Sequence, residues 1–145
     1  MNPYDTEAVH RVWARVTAIQ EERLSAMIAD ERRDCETYLL LSRTFPRYRS
    51  FFRSLANDEL QHAKKLSAVY TSLYGRNADV ALAPPKQFSN LRDAVQERYA
   101  EELSGAQTYQ QAAAQFAAHR DLFLMLSAQE KKHAQRLRNL KLPHP

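Results

Sequence analysis

The sequence predicts an all-α fold, a bundle of long helices, and three observations support this prediction. Residues that favour helices, above all Ala, Leu, Glu, Gln, Arg and Lys, dominate the chain. Only two glycines and six prolines occur among the 145 residues. The prolines lie near the chain ends or in apparent connections, so none interrupts a long periodic segment.

Apolar residues recur at helical spacing in five segments. The first predicted helix is short, begins at Asp5 or Thr6, and is expected to pack on the main body through Val9, Val12, Trp13 and Val16. Four long helices follow, at about residues 18–45, 48–74, 90–117 and 121–140. We therefore divide the chain into an N-terminal helical extension, residues 1–17, and a four-helix bundle, residues 18–142.

The connection at residues 75–90 is the longest one between the predicted long helices. Its 16 residues, if extended, reach roughly 50 Å, whereas a helix of 27 residues is only about 40 Å long. The connection can therefore cross the bundle from end to end. Short, long and short connections in this order are typical of a ferritin-like four-helix bundle, in which one crossover joins two helical hairpins.

Charge and composition restrict the class of protein further. The formal net charge is +4, with acidic and basic residues interspersed, and the loose basic cluster Lys131, Lys132, Arg136 and Arg138 is interpreted as a solvated helix face. The alternative, a nucleic-acid surface, lacks interleaved aromatic residues. The single cysteine, Cys35, excludes an internal disulfide, and we interpret it as a buried filler rather than a redox group. Without a signal-peptide core or a long apolar run, we expect no membrane span and a cytoplasmic protein.

The two halves of the chain repeat each other at one fixed offset. Glu102 matches Glu31 (102 − 31 = 71), and the same shift carries Glu59-x-x-His62 onto Glu130-x-x-His133. Other pairs at this offset are Thr37 and Thr108, Tyr38 and Tyr109, Phe45 and Phe116, Phe52 and Phe123, Leu55 and Leu126, and Leu66 and Leu137. An ungapped internal repeat of this kind indicates two hairpins built alike. We call residues related by this offset twins.

The spacing of the repeat predicts where its acids meet. Glu31 precedes Phe45 by the same number of residues by which Glu59 follows it. If the chain reverses near Phe45 and Pro46, both glutamates return to one level of an antiparallel hairpin. The second hairpin repeats this arrangement, and each histidine lies three residues after a glutamate, on the same helix face.

Four carboxylates packed together in an apolar core would repel one another unless something neutralised them. Two divalent cations would do so, and carboxylate oxygens with imidazole nitrogens suit iron or manganese, while zinc would also bind. The predicted metal ligands are Glu31, Glu59, His62, Glu102, Glu130 and His133. The alternative is a degenerate repeat whose acids face solvent or pair with arginines.

Some nearby residues match parts of this pattern without completing it. Glu7 and His10 form a third Glu-x-x-His, but Glu7 has Ala78 as its twin, and we interpret the pair as exposed. Asp30 and Glu101 directly precede ligand candidates, where they are either exposed or positioned to orient a histidine.

At these residues, over roughly residues 20–140, the sequence resembles the rubrerythrin branch of the ferritin-like di-iron family. The resemblance implies that Glu59 and Glu130 bridge two iron ions, that Glu31 and Glu102 are terminal ligands, that His62 and His133 bind one ion each, and that Tyr38 and Tyr109 hydrogen-bond to the ligands. Without it, both tyrosines could be simple core aromatics. Typical members carry a further glutamate where this chain has Tyr99, and many carry a rubredoxin domain, for which this chain lacks the cysteines.

The resemblance also implies a function. We expect reduction of hydrogen peroxide under oxidative stress, with Glu31, Glu59, Glu102, Glu130, Tyr38 and Tyr109 at the reacting centre and electrons from an external donor such as a rubredoxin-like protein. The alternatives are a ferroxidase or iron-handling protein that uses oxygen, and a non-catalytic metal-binding interaction module. A homodimer is also expected, and the long connection could permit exchange of hairpins between protomers. Neither nucleic acid nor a membrane is an expected partner.

Overall fold

The computed structural model describes residues 5–144, and the regular elements in this range are all helical. Helix α1 spans Thr6–Thr44, α2 spans Arg49–Tyr74, α3 spans Leu91–Gln115 and α4 spans Arg120–Arg138. The long helices begin and end close to the predicted positions, except at the start of α1. Within the described range, no helix is both long and apolar enough to cross a bilayer.

Helix α1 is longer than predicted because nothing in its sequence stops it near residue 17. The carboxylate of Asp5 caps the first turn by accepting hydrogen bonds from the N–H groups of Glu7 and Ala8, each at 3.1 Å. Neither glycine nor proline occurs from Asp5 to Phe45. The residues predicted to form a separate short helix are therefore the first turns of α1, and residues 1–4 of the predicted extension lie outside the described range.

The first turns of α1 extend beyond the helices packed beside it. Gln20 donates a side-chain hydrogen bond to the carbonyl of Gln115, the last residue of α3, and Tyr70 near the end of α2 donates to Glu21. The large apolar residues before this level are exposed, Trp13 by 64 %. The expectation that this stripe packs on the main body is therefore wrong, since α2 and α3 end at the level where the stripe stops.

The two hairpin turns repeat each other in backbone geometry. Short 3-10 helices, Pro46–Tyr48 and Ala117–His119, join α1 to α2 and α3 to α4 at twin positions. The residues before them, Phe45 and Phe116, have φ angles of −122° and −113° and ψ angles of 76° and 68°. The duplication seen in the side chains therefore extends to the path of the chain.

The long connection lies along α1. Gly75 ends α2 as predicted, with a φ of +70° that favours glycine. Further along, the backbone N–H of Lys86 donates to Thr37 Oγ1 at 3.2 Å, and Arg33 Nε donates to the carbonyl of Pro84 at 3.1 Å. The connection thus covers one side of the bundle and has no counterpart elsewhere in the repeat.

The core consists of two apolar clusters whose members are largely twins of each other. The first apolar cluster contains Leu24, Met27, Ile28, Leu66, Val69, Tyr70, Tyr109, Ala112, Ala113, Phe116, Phe123 and Leu126. The second apolar cluster contains Cys35, Tyr38, Leu41, Phe52, Leu55, Ala56, Ala94, Val95 and Leu137. Tyr38 and Phe52 in one cluster have Tyr109 and Phe123 in the other, which is the arrangement that a pseudo-twofold axis produces.

Candidate metal centre

The structure brings all six predicted metal ligands together inside the bundle. They form two groups, Glu31, Glu59, His62 and Glu130 in the first and Glu59, Glu102, Glu130 and His133 in the second. Within each group, one ligand atom from every residue lies within 4.8 Å of the others, and every member is buried. We refer to these six side chains as the cage. Its two groups share Glu59 and Glu130, so two ions could lie side by side.

Both histidines direct the same ring nitrogen at the carboxylates. His62 Nδ1 lies 2.9 Å from Glu130 Oε1 and 3.5 Å from Glu31 Oε2. His133 Nδ1 lies 2.8 Å from Glu59 Oε1 and 3.5 Å from Glu102 Oε2. The two rings stack with their centroids 5.8 Å apart. Each histidine therefore reaches one glutamate of the other hairpin and one of its own, and helices α2 and α4 are joined at the cage.

The outward nitrogens of the histidines are held by residues that sequence analysis did not single out. His133 Nε2 lies 2.9 Å from Asp58 Oδ2, and His62 Nε2 pairs with Gln129 Oε1. Asp58 and Gln129 are twins, and each directly precedes a shared glutamate, so the repeat itself contained this signal. A carboxylate on the outer nitrogen fixes the ring and makes the inner nitrogen a stronger ligand.

Both tyrosines named from the sequence are core residues that also bond to the cage. The Tyr38 hydroxyl donates to Glu102 Oε1 at 2.6 Å, and the Tyr109 hydroxyl donates to Glu31 Oε1. Burial, with the nearby carboxylates, raises the pKa of both phenols well above 10, their ordinary value. Both therefore keep their protons and act as permanent donors.

The like charges of the cage repel one another, and the pKa values of its carboxyl groups are shifted. Burial, followed by the negative charge of Glu31, raises the pKa of Glu59 well above 4.5, and burial likewise raises that of Glu130. Burial acts in the same direction on Glu102, but the neighbouring Glu130 and His133 and the hydrogen bond from Tyr38 outweigh it and lower the pKa of Glu102. Without cations, burial and the repulsion between carboxylates therefore favour the protonated forms of Glu59 and Glu130.

Several buried atoms of the cage have no hydrogen-bond partner, and this tests whether cations fit. These atoms are Glu31 Oε2, Glu59 Oε1 and Oε2, Glu102 Oε2 and His133 Nδ1, and the 2.8 Å contact between His133 Nδ1 and Glu59 Oε1 lacks hydrogen-bond geometry. Buried polar atoms in folded proteins are nearly always paired, and these are acceptor atoms, the type that binds a metal. Two divalent cations would satisfy them and neutralise four carboxylates, so the residues fit the predicted metals. The donor set suits iron or manganese and accommodates zinc.

Other residues weighed from the sequence lie away from the cage. Glu7 is exposed and pairs with Arg11 at 3.6 Å, in keeping with the interpretation as an exposed pair. Asp30 and Glu101 are exposed and make no hydrogen bond to either histidine. Cys35 is buried in the second apolar cluster, as predicted, and Tyr99 packs against that cluster.

A buried arginine beside the cage was missed by sequence analysis. Arg98 is only 2 % exposed, and its Nη1 donates to Asp34 Oδ1 at 2.9 Å. Its guanidinium lies 5.6 Å from the centroid of the Tyr38 ring, a distance that allows a cation–π interaction. The twin of Arg98 is Met27, so the available signal was a charged residue at a position where the repeat has an apolar one.

Paired hairpins that supply a glutamate from each of two helices and Glu-x-x-His from the other two define the ferritin-like di-metal carboxylate proteins. Within that class, the chain belongs to the rubrerythrin family, because the family model for rubrerythrin matches residues 22–141. The match covers the four-helix bundle apart from the first turns of α1 and confirms the predicted resemblance. No curated protein and no solved structure matches the chain.

Proposed function

We propose that this chain is a di-iron redox protein that reduces hydrogen peroxide to water with electrons from an external donor. The observation that carries the proposal is the sharing of Glu59 and Glu130 by two groups of potential ligands. Two ferrous ions held there would supply the two electrons that, with two protons, convert one peroxide molecule into two of water.

The roles of the residues follow from their positions. Glu59 and Glu130 would hold both ions, while Glu31 and Glu102, each oriented by a tyrosine, would hold one ion each. The two apolar clusters lie on either side of the cage and bury its side chains, which strengthens the electrostatic interactions among them.

The cavity beside the cage favours a small polar substrate. It has a volume of about 130 Å³ and is lined by Glu31 and Glu130, together with other mostly polar or charged side chains from α1, α3 and the long connection. Pockets that bury organic ligands usually have roughly 300–1,000 Å³ and mostly apolar linings. The size and lining therefore support peroxide or oxygen rather than an organic molecule as the oxidant.

The electron donor in this proposal is a separate protein. Cys35 is the only cysteine of the chain, so its residues cannot build a four-cysteine iron site like that of rubredoxin. A rubredoxin-like donor, a homodimer and a cytoplasmic location remain predictions from the sequence.

Stopped-flow mixing tests the proposal. Di-ferrous protein mixed anaerobically with hydrogen peroxide should be oxidised much faster than free ferrous ion at the same concentration. The matched control is the double variant Glu59→Gln with Glu130→Gln, which removes the shared carboxylates and should lose the fast phase. Oxidation no faster than that of free iron would show that the chain is not a peroxide reductase.

A ferroxidase or iron-handling role is the second candidate, and one observation favours it. Asp30 and Glu101 are exposed carboxylates that line the cavity leading to Glu31, where they could attract ferrous ions from solution. Oxygen should then oxidise the centre faster than peroxide does, and the chain should turn over many irons. If metals raise the melting temperature and neither oxidant reacts, the chain is a metal-stabilised interaction module.

A further inference from the structure

The two halves of the duplication differ where α1 and α3 cross beside the cage. Three twin pairs at this crossing have diverged in identity or in burial: Thr37 and Thr108, Asp34 and Gly105, and Arg98 and Met27. The pseudo-twofold axis that relates the hairpins carries the first member of each pair onto the second. The first members of the three pairs lie together at one end of the crossing, and the second members lie together at the other end. The two ends of the crossing therefore differ.

One end of the crossing is closed. Arg98 and Asp34 form an ion pair across it, and the guanidinium covers the Tyr38 ring. The long connection lies over this end, where the backbone N–H of Lys86 donates a hydrogen bond to Thr37 Oγ1. Thr37 is only 1 % exposed. We call it the closed end.

The other end of the crossing is open. Thr108 is exposed and has no connection over it, while Gly105 has no side chain to meet Met27, so no ion pair forms there. Met27, Asp30 and Thr108 line both the cavity at the cage and a groove on the surface between α1 and α3. The residues of the closed end line the same cavity, but at this end the cavity adjoins a surface groove, and we call it the open end.

Gly105 lies at the inner limit of this passage. A Cβ atom built at Gly105 would lie 3.5 Å from Glu130 Oε2 and 3.8 Å from its Cγ and Cδ, which is ordinary contact. A methyl group would thus just fit, and any longer side chain would occupy the space in front of the carboxylate. Glycine in the middle of a helix is less favourable than alanine, and an open passage would explain its presence here.

We propose that Gly105 sets the size of the molecules that reach the metal centre, and that small anions and peroxide-sized oxidants enter through the open end. The proposal rests on the proposed metal occupancy of the cage and not on which oxidant reacts. Of the cage residues, only Glu31 and Glu130 line the cavity. An incoming molecule would therefore meet the Glu31 side of the cage before the Glu102 side, and the two sides are not equivalent.

Azide binding to the metal-loaded protein tests the proposal without turnover. Azide is mixed with di-ferric protein, and its binding is followed through the visible charge-transfer band of the complex. Gly105→Leu should bind two irons as the wild type does, but the association rate of azide should fall by about tenfold or more, as expected for a barrier raised by over 1 kcal/mol. The matched control is Ala100→Leu, an exposed position of α3 outside the cavity, which should leave the rate unchanged.

A second variant keeps the test decisive if leucine displaces Glu130. Thr108→Phe obstructs the open end at its mouth without touching the cage, and it should slow both association and dissociation of azide with little change in Kd. Unchanged azide rates in iron-loaded Gly105→Leu, or in Thr108→Phe where the leucine variant fails to load iron, would overturn the proposal. Failure of wild-type protein to bind iron would instead contradict the proposed function.

Discussion

The hydroxyl of Tyr38 on α1 donates a 2.6 Å hydrogen bond to Glu102 Oε1 on α3, and this bond joins the two hairpins at the cage. Its twin bond, from Tyr109 to Glu31, crosses the same interface in the opposite direction. Each terminal carboxylate is therefore positioned by a residue of the other hairpin. The bonding pattern follows the pseudo-twofold axis, so it would be lost if the hairpins packed in another register.

Replacing Tyr38 with phenylalanine should destabilise the protein. The variant leaves a buried carboxylate oxygen without its donor, which costs about 1–3 kcal/mol. Urea denaturation of the metal-loaded protein measures this change. The control is Tyr48→Phe, whose hydroxyl donates to the carbonyl of Lys141 at an exposed site and should contribute less than about 0.5 kcal/mol. Equal effects from the two variants would show that the Tyr38 bond has no special role.

Removing a carboxylate that both groups share should lower the metal content per chain more than removing a terminal carboxylate. Glu59→Gln should lose most of both ions, because Glu59 belongs to both groups, whereas Glu31→Gln should retain the ion of the second group. Elemental analysis of purified protein measures the metal per chain. Glu36→Gln, an exposed position on α1, is the control and should bind as the wild type does. A similar loss in the Glu59 and Glu31 variants would contradict the shared role.

Metal affinity should rise with pH, and binding should release protons. Glu59 and Glu130 have raised pKa values in the folded protein, so protons compete with cations for both carboxylates. Titration calorimetry in buffers of different ionisation enthalpy should show that protons are released when the ions bind. Heats that do not vary with the buffer would rule out this coupling.

The same pKa shifts predict how the stability of the metal-free protein depends on pH. The unfolded chain releases protons from glutamates near pH 4.3, whereas folded Glu59 and Glu130 keep theirs to higher pH. Their contribution to stability is full below that value and is lost as the pH rises through their raised pKa values. The melting temperature of the metal-free protein should therefore fall as the pH rises above about 4.5, more steeply than that of the double variant Glu59→Gln with Glu130→Gln. An equal pH dependence of the melting temperature in both proteins would contradict the raised pKa values of Glu59 and Glu130.

Asp58 should strengthen metal binding through His133. Asp58→Ala frees the outer nitrogen of the imidazole, which should weaken metal affinity by about 10- to 100-fold. Competition with a chromophoric chelator measures the affinity. The neighbouring exposed residue provides the control, as Asn57→Ala should change nothing. If Asp58→Ala binds metal as tightly as wild type, the contact at 2.9 Å does not tune the ligand.

The Arg98–Asp34 pair should show strong coupling in a double-mutant cycle. Arg98→Met copies the twin residue but leaves Asp34 unpaired, which should cost about 2–3 kcal/mol, less than a fully buried pair because the Asp34 side chain is 27 % exposed. Adding Asp34→Asn should recover part of the loss. Denaturation of the four proteins gives the coupling energy, and simple additivity of the two changes would argue against a working ion pair.

Much of the fold and the cage was predictable because the information is local and is repeated. Helical periodicity depends on neighbouring residues, and the turn at Phe45 places Glu31 and Glu59 at one level whatever the rest of the chain does. The internal repeat then gave the second half of the cage without any further assumption. Asp58 and Gln129 carried the same signal, but their contacts to histidine cross between hairpins and depend on how α2 packs against α4.

The start of α1 was less predictable for a different reason. An apolar stripe such as that around Trp13 predicts an amphipathic helix, and the helix is present. Whether a partner covers the stripe depends on where α2 and α3 end, and this is a property of the assembled bundle. Hydrophobic periodicity alone therefore could not predict that Trp13 is exposed.

The amino-acid sequence alone determined the duplicated hairpins and the six residues of the cage, because spacing along a helix fixes which side chains share a face. Only the tertiary structure decided that the two halves are unequal. The long connection exists once, so it covers Thr37 and leaves Thr108 exposed. At one end of the crossing, the buried Arg98 forms an ion pair with Asp34, whereas Gly105 leaves the other end open. How deeply each twin is buried depends on packing between the hairpins, and the spacing of a repeat does not specify that packing.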